Sequence, residues 1–134
     1  MGRRVDDGAM LGLARRFFEA VARGDLDTVR ACYAPHAVIW TAQDPVERTP
    51  EENLAVLAWV KANVRDFRYE DVRCQATATG FVEQHTTCGT LPSGAAFRFP
   101  ACLVVRVEDG RITRLEEYFD TAPLAAAMSQ IAAG

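Results

Sequence analysis

The chain has 134 residues, 49% of them hydrophobic and 25% charged, with a net charge of -3. That is enough chain to bury one core and too little for two. The 15 basic residues are scattered rather than gathered into a nucleic-acid-binding stripe, and no apolar run nears the roughly 18 residues of a membrane span.

The amino end, MGRRVDDGAM, has arginines with no apolar stretch behind them, so the expected location is the cytoplasm. Cys32, Cys74, Cys88 and Cys102 are widely spaced, with no C-x-x-C pair and no Cys/His cluster. They are expected to be reduced, mostly buried small hydrophobes, with neither a metal site nor a redox motif.

In chain order, Met10, Leu13, Phe17 and Val21 recur at three- and four-residue steps, which predicts a helix from about Asp7 that Gly24 ends. A short helix fits Asp25 to Tyr33, with Asp25 as N-cap and Leu26, Val29 and Tyr33 inward. PHAVIWT (35–41) reads as a strand, and the polar AQDPVER after it as a loop. Thr49, Pro50 and Glu52 form a capping box with proline at the first helical position, starting a third helix that runs to about Ala62. Four strand-like runs follow, at about 66–78, 81–91, 96–107 and 111–119, and the alanine-rich tail 122–132 is expected to be a short helix. Helices first and an antiparallel meander after them give one α+β domain over 1–134, with helices on one face of a curved sheet.

The run 96–107 fixes the inner face, because Phe97, Phe99, Ala101, Leu103, Val105 and Val107 are all apolar. In the last strand Leu115 and Phe119 set the same parity, which turns Glu117 inward between them. LPSGA has the pattern of a three-residue loop with glycine in the left-handed position, which closes Leu91 opposite Ala95. His85 then pairs with Ala101, and Glu83 with Leu103. For VEDGR, a three-residue loop sets Ala101 opposite Glu117; the competing two-residue Asp-Gly turn is set aside because it would face Leu115 and Phe119 outward. The expected result is a row His85, Ala101, Glu117 on the inner face, its two ends about 10 Å apart at about 4.8 Å per strand.

RRFFEAVARGDLDTVRACYAPHAVIW and the closing RVEDGRITRLEEYFD resemble the opening helices and last hairpin of the nuclear transport factor 2-like superfamily, which includes ketosteroid isomerase and the SnoaL-like polyketide cyclases. The resemblance implies a cone-shaped sheet wrapped around about three helices, an apolar pocket and a homodimer. It does not carry over the isomerase's chemistry, since that enzyme's functional tyrosine and two aspartates fall on Phe17, Thr41 and Leu103. The cyclases' acid/base aspartate falls on Glu117, and their histidine on Leu103, one strand away from His85.

Two functions stay open. One is cofactor-independent acid/base chemistry, of isomerase, cyclase or hydrolase type, on a small apolar molecule; the other is a non-catalytic dimeric module that binds a hydrophobic metabolite. In the first, Glu117 and His85 carry the proton, and Glu83, Thr41, Trp40, Phe17, Phe99, Ala101, Leu103 and Phe119 are the candidate substrate-binding residues. For the dimer, the outer face bearing Gln84, Thr86, Cys88, Arg98 and Cys102 is the expected contact. No metal, cofactor, nucleic acid or membrane partner is expected.

Overall fold

The computed structural model describes residues 6–133, with side chains described through Met128. Helix α1 (Asp7–Arg23) starts where Asp6 accepts a hydrogen bond from the Gly8 N–H at 2.9 Å. It stops at Gly24, whose φ of 73° is the left-handed cap that glycine adopts without strain. Met10, Ala14, Phe17, Phe18 and Val21 form its buried face. Helix α2 (Leu26–Cys32) is capped by Asp25, which accepts from the Thr28 N–H at 3.2 Å and hydroxyl at 2.6 Å. Tyr33 opens a strand instead of closing this helix. Helix α3 (Pro50–Asn63) has the expected capping box, with Thr49 and Glu52 exchanging bonds of 3.2 and 2.9 Å. Helix α4 (Ala122–Ala133) closes the chain.

The strands are β1 (Tyr33–Thr41), β2 (Asp44–Arg48), β3 (Arg65–Ala76), β4 (Gly80–Thr90), β5 (Ala96–Glu108) and β6 (Arg111–Phe119). They form one curved sheet in the order β2-β1-β6-β5-β4-β3. The sheet is mixed rather than wholly antiparallel, because β1 lies parallel to β6. The segment expected to be a loop contains β2, which pairs with β1 through Ile39↔Arg48 and Thr41↔Asp44. Almost every β2 side chain is exposed, so it carries no apolar alternation, and Pro45 sits on an edge strand that can do without its N–H. Irregularities in β3, with Asp66 and Asp71 at φ of 53° and 54°, bend the opposite edge of the sheet.

The two hairpins set the register of the concave face. LPSGA forms the three-residue loop, with Leu91 N–H bonded to the Ala95 carbonyl at 2.9 Å and Gly94 at φ 90°. His85↔Ala101 and Glu83↔Leu103 follow from it. The second hairpin corrects the sequence expectation. Glu108 pairs with Arg111 across a two-residue turn, where Asp109 and Gly110 both have positive φ, 52° and 75°, as a type I′ turn requires. Parity is then restored two residues later. Arg106 pairs with Arg114 but Val107 with Ile112, leaving Thr113 as the extra residue of a β-bulge. Both Ile112 and Thr113 are buried, and Leu115, Glu117 and Phe119 come back to the concave side. Leu103, Val105, Ile112, Leu115, Ile39 and Phe81 there pack against Phe17, Phe18 and Val21 of α1 and Val29 of α2 in one core.

Candidate functional site

The corrected register changes which residues stand side by side. Glu117 pairs with Leu103, not Ala101, and Ala101 pairs with Phe119. One row across the sheet is therefore Thr41, Glu117, Leu103, Glu83 and Cys74, and the next is Phe119, Ala101 and His85. Glu83 and Glu117 face each other across Leu103, with His85 diagonal to Glu117.

His85 turns to its own strand for a partner. Its Nδ1 lies 2.7 Å from Oε2 of Glu83, two residues away on the same face, and the two side chains are 1% and 2% exposed. With Glu83 as the carboxylate, which only accepts, Nδ1 is the donor of this bond. The ring is clamped between Tyr69, stacked at 4.1 Å and 29°, and Phe18, edge-on at 5.2 Å. Its Nε2 is buried without a hydrogen-bond partner among the described residues.

Glu117 faces a cavity of about 550 Å³ between the sheet, α3 and α4. Thr41, Asn53, Tyr69 and Thr87 bring polar groups to its wall, and Leu57, Phe97, Phe99, Phe119 and Leu124 bring apolar ones. The Phe97, Phe99 and Phe119 rings are stacked in series, at 5.9 Å with 22° and 4.6 Å with 24° between planes, which makes a flat aromatic side. The Glu117 carbonyl accepts from the Ala42 N–H at 2.9 Å, whereas its carboxyl has no hydrogen-bond or ion-pair partner among the described residues. Glu117 is half-buried, and burial pushes its carboxyl pKa above the ordinary carboxylate value while the charge of His85 pulls part of the way back.

Several polar groups of the cavity wall are neutral donors, in addition to the charged Asp44 and Arg48. Tyr33 donates its hydroxyl to Oδ1 of Asn53 at 2.7 Å, and the Asn53 amide N–H groups have no partner among the described residues. Burial raises the pKa of Tyr33 and raises that of Tyr69 well above the ordinary phenol value, and the charge of Glu117 adds to both. Both phenols therefore keep their protons. The hydroxyl of Thr87 is buried with no partner among the described residues. Each such group in a wall of phenylalanines lacks the hydrogen bond that a bound oxygen or nitrogen would supply.

A second cleft, of about 560 Å³, opens on the far side of Tyr69 between α1 and β3, and Glu83 lies in its wall. Its other lining groups are a scattered surface set, including Arg15, Glu19 and Arg68. The cavity with the stacked rings and unpaired donors is the candidate site, although the two volumes are nearly equal.

Of the residues singled out in the sequence, Thr41, Phe99, Phe119 and Glu117 line this cavity. Glu83 and His85 are beside it, buried as a pair. Ala101 and Leu103 are buried in the sheet between them, and Phe17 is core, edge-on to Phe18 at 5.0 Å and Tyr33 at 5.4 Å. Trp40 is on the other face of the sheet, its ring 5.0 Å from that of Tyr118. The sequence reading missed Tyr69, Asn53, Thr87 and Tyr33. Tyr69 lies between two irregularities of β3 that upset alternation, and nothing short of the packed α3 brings Asn53 to the sheet.

No group of three or more His, Cys, Asp or Glu placed to hold a metal ion occurs among the described residues, and no helix there is long and apolar enough to cross a membrane.

Known proteins show what this architecture is similar to. An LEH-like epoxide hydrolase of M. tuberculosis superposes with a TM-score of 0.77 at 22% identity, covering 92% of each chain. Two proteins each described as a "putative polyketide cyclase" match as well. That of Xanthomonas campestris pv. campestris has a TM-score of 0.81 at 21% identity, over 90% of this chain and 97% of its own. IdmH of Streptomyces antibioticus has 0.75 at 26%, over 90% and 98%. No curated protein matches the sequence. The SnoaL-like domain profile matches residues 14–115, most of the chain, ending before Glu117, Phe119 and α4, and the chain belongs to the SnoaL-like domain family.

Proposed function

We propose that this SnoaL-like protein is a cofactor-independent acid/base enzyme acting on a small, largely apolar molecule that carries a carbonyl or epoxide oxygen. The observation that carries this reading is the Glu117 carboxyl: without a side-chain partner among the described residues, raised in pKa by burial, and facing a largely apolar cavity that also holds the neutral donors Thr41, Asn53, Tyr69 and Thr87. Such a carboxyl holds its proton closer to neutrality than a free glutamate does, the condition for a general acid at working pH. It delivers that proton to the ligand oxygen as the C–O bond of an epoxide breaks and a water bonds to the carbon, the water's proton returning to the Glu117 carboxylate; or, once ionised, it takes a proton from carbon next to a carbonyl and gives it back to the resulting enolate. Thr41, Asn53, Tyr69 and Thr87 hold the oxygen by hydrogen bonds, and the Phe97, Phe99 and Phe119 rings hold the apolar body. His85, anchored by Glu83, shares the acid/base duty by setting the charge next to Glu117. Cyclases and an epoxide hydrolase among the similar structures agree with a reaction at an oxygen-bearing carbon.

We also infer a homodimer. Thr86 and Cys88, expected on the contact face, are buried in the monomer beneath Arg98, which bonds Glu70 and Cys88. The apolar part of the outer face lies further along the sheet, at Val104 and Tyr118, exposed at 43% and 46%.

The test needs no prior substrate. Small cyclic ketones are screened for deuterium uptake from solvent next to the carbonyl, and small epoxides for ring opening, with the wild type and Glu117→Gln. Turnover that Glu117→Gln lowers by about 10²–10⁴-fold, with binding nearly intact, is the expected result. Binding without either reaction in the wild type would make the protein a ligand-holding module instead.

A further inference from the structure

Glu83 and His85 are sealed from the ligand cavity, yet one of them reaches a different surface. Glu83 is in the floor of the cleft between α1 and β3, whereas His85 lines neither that cleft nor the cavity. The cleft's lip is made by Arg15, Glu19 and Arg68, all exposed and charged, and the cleft leads from there to Glu83, whose side chain is 2% exposed. Tyr69 is the partition: it lines both openings and stacks on the His85 ring at 4.1 Å. On the cleft side the ring is hydrogen-bonded, from Nδ1 to Glu83 at 2.7 Å; its other nitrogen is buried with no partner among the described residues. The bonded path from the imidazole to solvent thus leads through Glu83. The titratable and charged groups around the pair are Arg15 and Glu19 of α1, Arg68, Tyr69 and Cys74 of β3, and Glu117 of β6.

We propose that the α1–β3 cleft is a proton port, through which His85 exchanges its Nδ1 proton with bulk water by way of the Glu83 carboxylate, separately from the ligand cavity. Starting from the imidazolium, the proton passes from Nδ1 to Oε2 of Glu83 and leaves a neutral ring that keeps its Nε2 proton, and Glu83 hands the transferred proton to a water in the cleft, which carries it off to a buffer base. The reverse sequence reloads the ring, so no other bond changes and no co-reactant is needed. The purpose of the port rests on the acid/base reading above. With a ligand filling the cavity, Glu117 has no route to bulk water, whereas the neighbouring Glu83–His85 pair keeps one and can reset its charge while the site is occupied.

The exchange can be measured on the resting protein, with no substrate. The chain has two histidines, and His36 is exposed, so it serves as an internal reference. In protein labelled with ¹⁵N-histidine, NMR magnetisation transfer gives the solvent exchange rate of the His85 ring N–H. Ala22→Trp and Leu11→Trp fill the cleft from two points of its wall; Leu57→Trp fills the ligand cavity. Backbone amide exchange in β4 corrects each variant for opening of the whole fold. The expected result is that both cleft variants slow His85 exchange about tenfold or more while Leu57→Trp changes it less than about twofold. The port is overturned if neither cleft variant slows exchange, if Leu57→Trp slows it as much, or if His85 exchanges only when the β4 amides do. Such a failure leaves the comparison of wild type with Glu117→Gln untouched, so the two readings fail separately.

Discussion

His85 and Glu83 form a buried pair within one strand, Nδ1 to Oε2 at 2.7 Å, with neither side chain more than 2% exposed. Removing one member leaves the other polar group buried alone, and for a pair this deep that loss costs about 3–5 kcal/mol. His85→Ala is expected to lower stability by that much in urea unfolding. The double variant Glu83→Leu/His85→Leu, which removes both charges and keeps the volume, should recover most of it. A His85→Ala protein as stable as the wild type would mean that the pair does not form.

Glu117 predicts a pH dependence of the opposite kind. Its folded pKa is raised, so the folded state holds the proton more tightly than the unfolded chain does. Below the ordinary carboxylate value both states are protonated and the group has no effect. As pH rises from there through the raised folded value, the unfolded chain gains from ionising first and stability falls. Glu117→Gln should remove that decline and raise the melting temperature at neutral pH by a few degrees, while turnover is lost. Thermal scans across the acid-to-neutral range read this directly; a variant less stable than wild type at neutral pH would contradict it.

The β5–β6 hairpin shows how much of the site is legible in the sequence. Parity was legible, because a strand with Leu115 and Phe119 on its solvent face would forfeit burial of two large side chains, and that argument placed Glu117 inward correctly. The pairing partner was not, because two local devices cancel: a type I′ turn shifts parity by one, and the Thr113 bulge shifts it back. A bulge inside a mixed polar and apolar run such as RITRL leaves no signal in the pattern. Deleting Thr113 should therefore remove the bulge, leave every other pair in place with Leu115, Glu117 and Phe119 still on the concave face, and preserve the fold. Gly110→Ala, which keeps the register but strains a position at φ 75°, should cost only about 1 kcal/mol. Circular dichroism and urea titration of the two variants separate the effects.

The face opposite the cavity yields a prediction about assembly. Val104 and Tyr118 are exposed on the outer side of β5 and β6, and Trp40 of β1 packs its ring 5.0 Å from Tyr118. An apolar patch of this kind on a flat sheet face fits a second copy of the same face across a two-fold axis. Sedimentation equilibrium is expected to give a dimer for the wild type and a monomer for Val104→Arg, with the fold retained. A monomeric wild type at tens of micromolar would remove the dimer.

The last prediction concerns Thr87, whose side chain lines the cavity and whose hydroxyl is buried without a partner among the described residues. An unsatisfied buried hydroxyl costs about 1–3 kcal/mol, so Thr87→Val, which keeps the shape and discards the hydroxyl, should stabilise the empty protein or leave it unchanged. If that hydroxyl exists to hold a ligand oxygen, the same change should weaken binding of 2-naphthol and leave naphthalene binding as it was. The flat Phe97–Phe99–Phe119 side accommodates the ring system of either probe. Each hydrogen bond lost to a neutral partner contributes about 1 kcal/mol, or roughly fivefold in affinity. Equal loss for both probes would show that Thr87 shapes the cavity and does not recognise oxygen, and would pass that role to Asn53, Tyr69 and Thr41.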